Sequence, residues 1–312
     1  MKRIALIGVA AFAAGCAQAP GTLPSGLPVS AASVAASTAA GAAPAAVRAG
    51  VFVTEANGAS DGVVFGFRER NKTDGPPVCS IGNQNFDQSQ IAADATGNLY
   101  LPNIETSVIG VYSPNCGQLV RGITDPYGAP VDVAVRFGKI YAAGGTTVAV
   151  CSSSGCSSSL TDPSIRQLET TAVDSSENVW ASYYDHSGAI RLAVWPHGTM
   201  PARVVSGYVN QNTPGDLIFD RNDTLVSIQT LFTHAYVYRC NAKTASCTNT
   251  ATHDLHGGSL YGSLNARNTN LQISDYSNGA VDVYAYPSFV YEYSYSRGFM
   301  PNYSVQGIVQ TH

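Results

Sequence analysis

The sequence predicts an all-β protein, a six-bladed β-propeller in which the C-terminal strand closes the N-terminal blade. Three observations lead to this fold. Six segments share one order: a short apolar strand, a turn rich in Asp, Asn and Gly, and an apolar or aromatic strand. These segments recur at the spacing of propeller blades. The two ends of the chain each supply part of one blade. We therefore assign the propeller to residues 49–312.

The repeats themselves justify the individual strands. First strands begin 41, 39, 45, 46 and 45 residues apart, at Ile91, Asp132, Thr171, Asp216, Gly262 and Gly307. Second strands follow each turn, as LYLPN from Leu99, IYAAG from Ile140, VWASY from Val179, LVSIQ from Leu225 and LQISD from Leu271. Third strands begin at Val108, Val148, Ala189, His234 and Ala280. Alternating polarity, β-branched and aromatic residues, and the bounding turns favour strands over helices.

The two chain ends are complementary. VFVTE, from Val51, has the pattern of a second strand, but its own first strand is missing. GIVQTH, from Gly307, is a first strand with no second strand after it. Joining the two completes one blade and removes the free sheet edges that would invite aggregation. We therefore expect the last strand of the chain to pair into the N-terminal blade.

Residues 1–15 have the pattern of an export signal peptide. Lys2 and Arg3 form a positive n-region, Ile4–Ala14 is a short apolar h-region, and small residues precede Cys16. This ending resembles a bacterial lipobox, which implies lipid attachment at Cys16, although Ala stands where the lipobox usually has Leu. The alternative is an ordinary secretory signal, cut near Ala17–Ala19 without a lipid. By resemblance to Gram-negative lipoproteins, Ala rather than Asp after the cysteine favours the outer membrane.

A tether and a domain of low charge follow the signal. Residues 16–48 are rich in Ala, Pro and Ser, with no charge from 17 to 47, which predicts a disordered tether.

The chain has 12% charged residues and a net charge of −4, so we expect no nucleic acid partner. No internal run reaches the roughly 18 apolar residues of a membrane-spanning helix. We expect a monomer in the bacterial cell envelope, anchored to the membrane by its lipid, with an unknown ligand or envelope protein as partner.

The cysteines other than the lipid-attachment residue are even in number. Two pairs sit where a third strand turns into a fourth, so each can form a disulfide across a hairpin. The pairs are Cys151 with Cys156 and Cys240 with Cys247. Each bond would stabilise the fold by roughly 2–3 kcal/mol through loop entropy. Zinc is disfavoured because neither pair has C-x2-C spacing. Cys79 and Cys116 could bridge neighbouring blades, but nothing local supports that pairing.

The repeat resembles that of the NHL and gluconolactonase-like (senescence-marker-protein) propellers. The match is clearest in IAADATGNLYLPN (Ile91–Asn103) and TAVDSSENVWASY (Thr171–Tyr183), and the resemblance covers roughly residues 51–312. It implies a six-bladed propeller. For gluconolactonase-like members it also implies one divalent metal held by Glu, Asn and Asp, with Glu55 and Asn103 at such positions. The Pro-Asn-Gly typical of that family is absent here.

Polar residues converge at the channel mouth where first strands begin and second strands end. The candidate ligand-binding set is Glu55, Asn103, Asp132, Glu169, Tyr183, Asp216, Gln229 and Asp275. Carboxylates grouped in this way suit Ca²⁺ or another divalent cation, and they can raise one another's pKa values to supply a general base. The alternative is structural, because Asp and Asn at turns bond nearby backbone amides. No other cofactor is indicated.

Three function classes stay open on these observations. The leading hypothesis is a non-catalytic, surface- or periplasm-tethered propeller that binds a ligand or a protein. It is motivated by a recognisable fold without a complete catalytic constellation. The alternative is a divalent-metal-dependent, gluconolactonase-like lactone hydrolase, motivated by the carboxylates at the channel mouth. The third is a structural envelope component with no small ligand.

Overall fold

The structure is a computed structural model that describes residues 49–56, 62–69, 74–84, 90–208, 216–229, 234–299 and 304–311. Within these residues, 24 strands form six antiparallel sheets of four strands each, which confirms the predicted six-bladed propeller. The helical segment described is a single 3₁₀ turn at Pro196–Gly198. Across the described ranges, no helix has the length and apolar character needed to span a bilayer. The proposed signal peptide, Cys16 and the tether lie outside the described residues.

The chain visits the blades in order, and within each blade the strands follow one another outwards from the channel. The N-terminal part of the chain gives blade 1 its strands β1 (Val51–Ala56), β2 (Gly62–Phe67) and β3 (Cys79–Gln84). Blade 2 contains β4 (Ala92–Ala93), β5 (Leu99–Asn103), β6 (Val108–Tyr112) and β7 (Leu119–Thr124). Blade 3 contains β8 (Asp132–Arg136), β9 (Lys139–Gly144), β10 (Thr147–Ser152) and β11 (Gly155–Thr161).

The second half of the ring repeats this arrangement. Blade 4 contains β12 (Ile165–Val173), β13 (Val179–Asp185), β14 (Ile190–Trp195) and β15 (Arg203–Val204). Blade 5 contains β16 (Leu217–Phe219), β17 (Thr224–Gln229), β18 (His234–Asn241) and β19 (Ser246–Asp254). Blade 6 contains β20 (Ser259–Leu264), β21 (Asn270–Asp275), β22 (Ala280–Ala285) and β23 (Val290–Tyr295).

Blade 1 is completed by the C-terminal strand β24 (Ser304–Gln310), which lies innermost and pairs antiparallel with β1. Val51 is opposite Gln310 at one end of this pairing. Side chains reinforce the seam, because the amide of Gly307 donates to Thr54 Oγ1 at 2.6 Å. The closure predicted from the two chain ends is therefore confirmed.

The apolar core lies between neighbouring blades rather than within one sheet. Clusters of buried side chains fill each interface around the ring. Between blades 3 and 4, for example, Tyr141 and Val148 pack with Leu168 and Trp195. A fully buried Leu of this kind contributes roughly 1.5–3 kcal/mol. Because both faces of a sheet are covered, the middle strands are buried at consecutive positions, as in β21.

The Asp of the repeated turn holds the first and second strands of a blade together. Asp174 Oδ1 accepts the amides of Ser176 and Asn178, both at 2.9 Å. Its Oδ2 accepts Asn178 Nδ2 at 2.7 Å and Trp180 Nε1 at 2.9 Å. Asp94 is bonded in the same way within its own turn. The Asp, Asn and aromatic residue of the sequence repeat therefore form an Asx turn that sets the strand connection.

Three disulfides join cysteines of the described residues. Cys151–Cys156 and Cys240–Cys247 close the β10–β11 and β18–β19 hairpins, in agreement with the sequence pattern, and we call them the hairpin disulfides. Cys79 and Cys116 are also bonded, with Cα atoms 5.8 Å apart. This inter-blade disulfide connects β3 of blade 1 to the β6–β7 turn of blade 2. Those two positions are brought together by the packing of the blades and not by any local pattern.

Candidate functional site

The inner strands run along the channel in one direction, which gives the domain two faces. We call the face where they begin the strand-start face, and the face where they turn into the second strands the turn face. Gln90, Asp132 and Asp216 stand at the beginning of the inner strands of blades 2, 3 and 5, and we call them the capping residues. All three are buried, with exposures of 7%, 1% and 2%.

Each capping residue bonds its own strand and the inner strand of a neighbouring blade. In every case the side chain accepts one amide from each. Asp132 accepts the amides of Val133 (2.7 Å) and Thr171. Asp216 accepts those of Leu217 (2.8 Å) and Gly262 (2.9 Å). Gln90 accepts those of Ile91 (3.3 Å) and Ile308 (2.9 Å). An inner strand has a partner strand on one side only, so its channel-side amides need other acceptors. The capping residues supply them, which avoids the cost of burying unpaired donors.

The two aspartates also influence each other's ionisation. Gln90 Nε2 donates to Asp216 Oδ2 at 3.0 Å and so reaches blade 5 from blade 2. Burial raises the pKa of Asp132 to about 7. Burial, together with the negative charge of Asp132, raises the pKa of Asp216 well above its ordinary value. Two carboxylates that share a buried site do not both ionise readily, so this pair holds a proton near neutral pH.

The other members of the predicted set lie apart from this pair. Glu55 is fully buried at the end of β1. Tyr183 packs between blades 3 and 4, and its hydroxyl lies 3.0 Å from a serine hydroxyl. Asn103 and Asp275 use a side-chain oxygen to accept turn amides. Gln229 ends β17, and its side chain lies outside the described part of the structure.

Glu169 occupies a β-bulge on the strand-start face. Strand β12 has one extra residue, Glu169, where Leu168 and Thr170 pair with consecutive residues of β13. Gln167 Nε2 donates to Glu169 Oε1 at 2.7 Å. Burial raises the pKa of Glu169 to about 7. This carboxyl therefore titrates near neutrality, but it does not line the cavity described next.

A cavity of about 710 Å³ fills the channel between the capping residues and the turn face. The capping residues form its floor. Its wall carries apolar side chains, among them Ala93, Ala134 and Ile218. It opens on the turn face, where the lining residues Thr96 and Phe137 are exposed, whereas the floor is buried. The opening is thus at the end of the channel opposite to the mouth expected from the sequence.

Of the predicted set, Asp132 and Asp216 line this cavity. The members that do not line it, among those whose side chains are described, are Glu55, Asn103, Glu169, Tyr183 and Asp275. The physical reason is that the set combines two repeat positions. The position at the start of the inner strand faces the channel in blades 2, 3 and 5, where Gln90, Asp132 and Asp216 line the cavity. The position at the end of the second strand, which holds Glu55, Asn103, Tyr183 and Asp275, lies outside the cavity lining.

Three arginines stand around the opening, and the sequence reasoning missed them. Arg121, Arg136 and Arg221 all line the cavity, and we call them the rim arginines. Arg136 Nη1 donates to the carbonyl of Val173 at 2.6 Å, and its guanidinium carbon is 5.3 Å from the ring centroid of Phe137. A usable signal was present in DVAVRFGK and DLIFDRND, where a basic residue follows the first strand.

The residues present do not fit the divalent ion that the family resemblance implies. Within the described ranges, no group of three or more His, Cys, Asp or Glu side chains is placed to hold a metal ion. The oxygens of Asp132 and Asp216 already accept N–H groups, and Asn103 Oδ1 accepts the amide of Thr106 at 3.0 Å. A cation bound there would compete with these N–H groups for the same oxygens. The strand-start end of the channel is instead closed by hydrogen-bonded side chains.

Comparison with solved structures supports the fold. The chain is similar to a chain in a crystal structure of a nidogen/laminin complex, with a TM-score of 0.63 and 14% identity over 83% of this chain and 98% of that one. It is similar to streptogramin B lyase, with a TM-score of 0.52 and 11% identity over 69% and 70% of the two chains. It is also similar to a luciferin-regenerating enzyme, with a TM-score of 0.54 and 13% identity over 70% and 78%.

These neighbours differ in function, so the likeness extends to the six-bladed propeller and no further. Neither a protein-family model nor a curated protein sequence matches the chain.

Proposed function

We propose that this protein is a non-catalytic propeller module that binds a small ligand in its axial cavity and is tethered to the bacterial cell envelope. The observation that carries the proposal is the cavity. It has about 710 Å³ of space, an apolar wall, a few polar groups and an opening on one face. Small-molecule sites have these properties, with volumes of roughly 300–1,000 Å³.

Hydrogen bonding at the cavity floor favours binding over hydrolysis. A general base must lie within reach of the proton that it abstracts and be free to bond the substrate. Both oxygens of Asp132 and of Asp216 already accept backbone amides, and Gln90 adds a further bond to Asp216. These carboxyls hold blades together. Because the surrounding residues also do not fit a divalent metal, we do not propose lactone hydrolysis.

The ligand-binding proposal is tested with a neutral apolar probe, N-phenyl-1-naphthylamine, titrated into the purified, unlipidated chain. We expect saturable fluorescence enhancement with one site per chain. Ala134→Phe fills the cavity wall and is expected to weaken binding at least tenfold. Ala251→Phe, on the outermost strand β19, is the matched control and is expected to leave the affinity unchanged.

Two results would contradict this proposal. One is the absence of saturable binding to the folded protein. The other is equal affinity in Ala134→Phe and in Ala251→Phe. Thermal unfolding of each variant checks that the fold is retained. Ala93→Leu, a smaller addition to the same wall, provides a second variant if Ala134→Phe does not fold.

The envelope location is a separate part of the proposal and rests on the N-terminal sequence. We propose that Cys16 carries the lipid and that residues 16–48 span the distance to the propeller, with the outer membrane as the favoured site. Expression of the full chain in a Gram-negative bacterium is expected to give a membrane-bound protein whose intact mass includes the lipid. Cys16→Ser is expected to lose the lipid mass. A soluble, unlipidated product cut near Ala17–Ala19 would contradict lipid anchoring.

A further inference from the structure

We propose that the axial cavity selects an amphipathic organic monoanion. In this arrangement a carboxylate or sulfonate group lies at the rim arginines, Arg121, Arg136 and Arg221, and the apolar body of the ligand lies along the channel wall. This inference rests on the proposed ligand-binding function and names the class of ligand. Three properties of the cavity support it: donors at the rim, occupied acceptors beside them, and a deep end without open hydrogen-bonding groups.

The rim arginines present donors at the opening. A guanidinium has five N–H groups. Arg136 donates one of them, from Nη1, to a backbone carbonyl. Arg121 bonds the hydroxyl of Tyr100, and its Nε is buried without a hydrogen-bond partner in the described structure. The salt bridges described elsewhere in the domain do not involve these arginines. An anionic ligand oxygen at the opening would accept from the N–H groups that these arginines still offer.

The carboxylates near the opening do not take the place of such an anion. The oxygens of Asp94 accept hydrogen bonds from Thr96, Asn98 and Tyr100. Those of Asp220 accept two turn amides and the hydroxyl of a tyrosine in blade 6. The cavity rim therefore combines three positive side chains with two negative ones. The buried pair of Asp132 and Asp216 adds negative charge at the floor, so the positive charge of the cavity is concentrated at the rim. This distribution favours a ligand with one anionic group at the rim over a neutral ligand, and over a dianion whose second charge would face the floor.

The deep end of the cavity favours an apolar ligand body. Its wall is formed by apolar side chains such as Ala134 and Ile218. The polar side chains at this depth bond one another or the backbone. Thr171 Oγ1 donates to a backbone carbonyl at 3.1 Å, and Ser263 Oγ accepts the amide of Gln310 at 2.9 Å. A polar ligand group here would lose water without gaining a partner, so the polarity of the ligand belongs at the rim.

The test compares two probes that share one aromatic scaffold. 1-Anilinonaphthalene-8-sulfonate carries a sulfonate, and N-phenyl-1-naphthylamine does not. We expect the sulfonate to bind about tenfold more tightly at low salt and to lose affinity as salt is added. Arg221→Gln and Arg136→Gln are each expected to weaken the sulfonate about tenfold and to leave the neutral probe within twofold. Arg239→Gln, at an exposed position on β18, is the matched control and is expected to change neither affinity.

The outcomes separate this inference from the proposed function. Equal binding of the two probes, with the sulfonate unaffected by Arg221→Gln, would overturn the choice of a monoanion and leave small-molecule binding in place. Saturable binding of neither probe would overturn both. Arg221 is exposed, so its substitution is expected to preserve the fold, and an unchanged melting temperature verifies this.

Discussion

Replacement of Asp216 by alanine tests the structural role of the capping residues. The Asp216 carboxylate accepts the amides of Leu217 at 2.8 Å and Gly262 at 2.9 Å, and the amide group of Gln90 at 3.0 Å. Truncation leaves three buried donors without an acceptor, each at a cost of about 1–3 kcal/mol. It also removes a carboxyl that repels Asp132, which offsets part of the loss. We expect the free energy of unfolding to fall by about 3 kcal/mol, a large share of the 5–15 kcal/mol typical of a domain.

Equilibrium unfolding in urea, with the disulfides intact, measures this change through the buried Trp180 and Trp195. Asp132→Ala is the graded comparison. It leaves two donors unpaired instead of three, so we expect a smaller loss. Asp254→Ala is the matched control, because that side chain is 90% exposed. We expect its effect to stay within about 0.5 kcal/mol.

Two results would refute this reasoning. A loss below about 0.5 kcal/mol for Asp216→Ala, the range of an ordinary surface substitution, would mean that the inter-blade bonds do not stabilise the fold. A larger loss for Asp132→Ala than for Asp216→Ala would contradict the count of orphaned donors. Unchanged slopes of the unfolding curves are needed for either comparison, since a changed slope signals an altered unfolded or native state.

Three further predictions concern pH, closure and the disulfides. The free energy of unfolding is expected to decrease from about pH 5 to pH 8. The buried aspartate pair, with the Asp132 pKa at about 7, retains a proton in the folded state, whereas the unfolded chain releases that proton near pH 4. Urea titrations that show flat or rising stability over this range would contradict this. Removal of residues 307–312 deletes most of the partner of β1 and is expected to lower the melting temperature by at least about 10 °C. Unchanged melting would argue against closure. Breaking Cys79–Cys116 with serines is expected to cost about 4 kcal/mol, against about 2 kcal/mol for either hairpin disulfide, because loop entropy grows with the sequence separation, which is 37 for this pair. Equal losses in calorimetry would contradict the loop-entropy account.

The fold could be predicted because its signals are local or periodic. The Asx turn at Asp94 is encoded within a few residues, and the same pattern at Asp174 marks another copy, in blade 4. The pairing of β24 with β1 is a long-range contact, but it could be inferred because each end of the chain lacks the strand that the other provides. The hairpin disulfides are similarly local. The inter-blade disulfide has no such signal, because it depends on how blades 1 and 2 pack.

The site could be predicted only in part, because it depends on how neighbouring blades meet. Alignment correctly placed Asp132 and Asp216 together at the beginning of inner strands. It could not show that the second amide bonded by Asp132 belongs to Thr171, in another blade. Nor could it show where the channel is open. The cavity exists because Ala93 and Ala134 leave space near the turn face, and a small residue in a strand is not by itself a sign of a site.

The capping residues and the β-bulges of the inner strands form one arrangement. Bulges add a residue to the inner strands of blades 1, 4 and 6, and the inner strands of blades 2, 3 and 5 pair without such shifts. A bulge interrupts the ladder and leaves amides without strand partners. Each capping residue lies on a regular strand and accepts an amide at or next to the bulge of an adjacent blade.

This arrangement explains why polar residues occur at the start of inner strands. It also gives the two ends of the channel different roles. The strand-start end is closed by side chains whose hydrogen bonds stabilise the ring, so a ligand that entered there would have to break inter-blade bonds. At the turn end the Asx turns of Asp94 and Asp174 are satisfied within their own blades, and three arginines line the opening. A ligand that entered there would leave the bonds of the capping residues in place. A propeller sealed in this way is therefore expected to bind its ligand from the turn face.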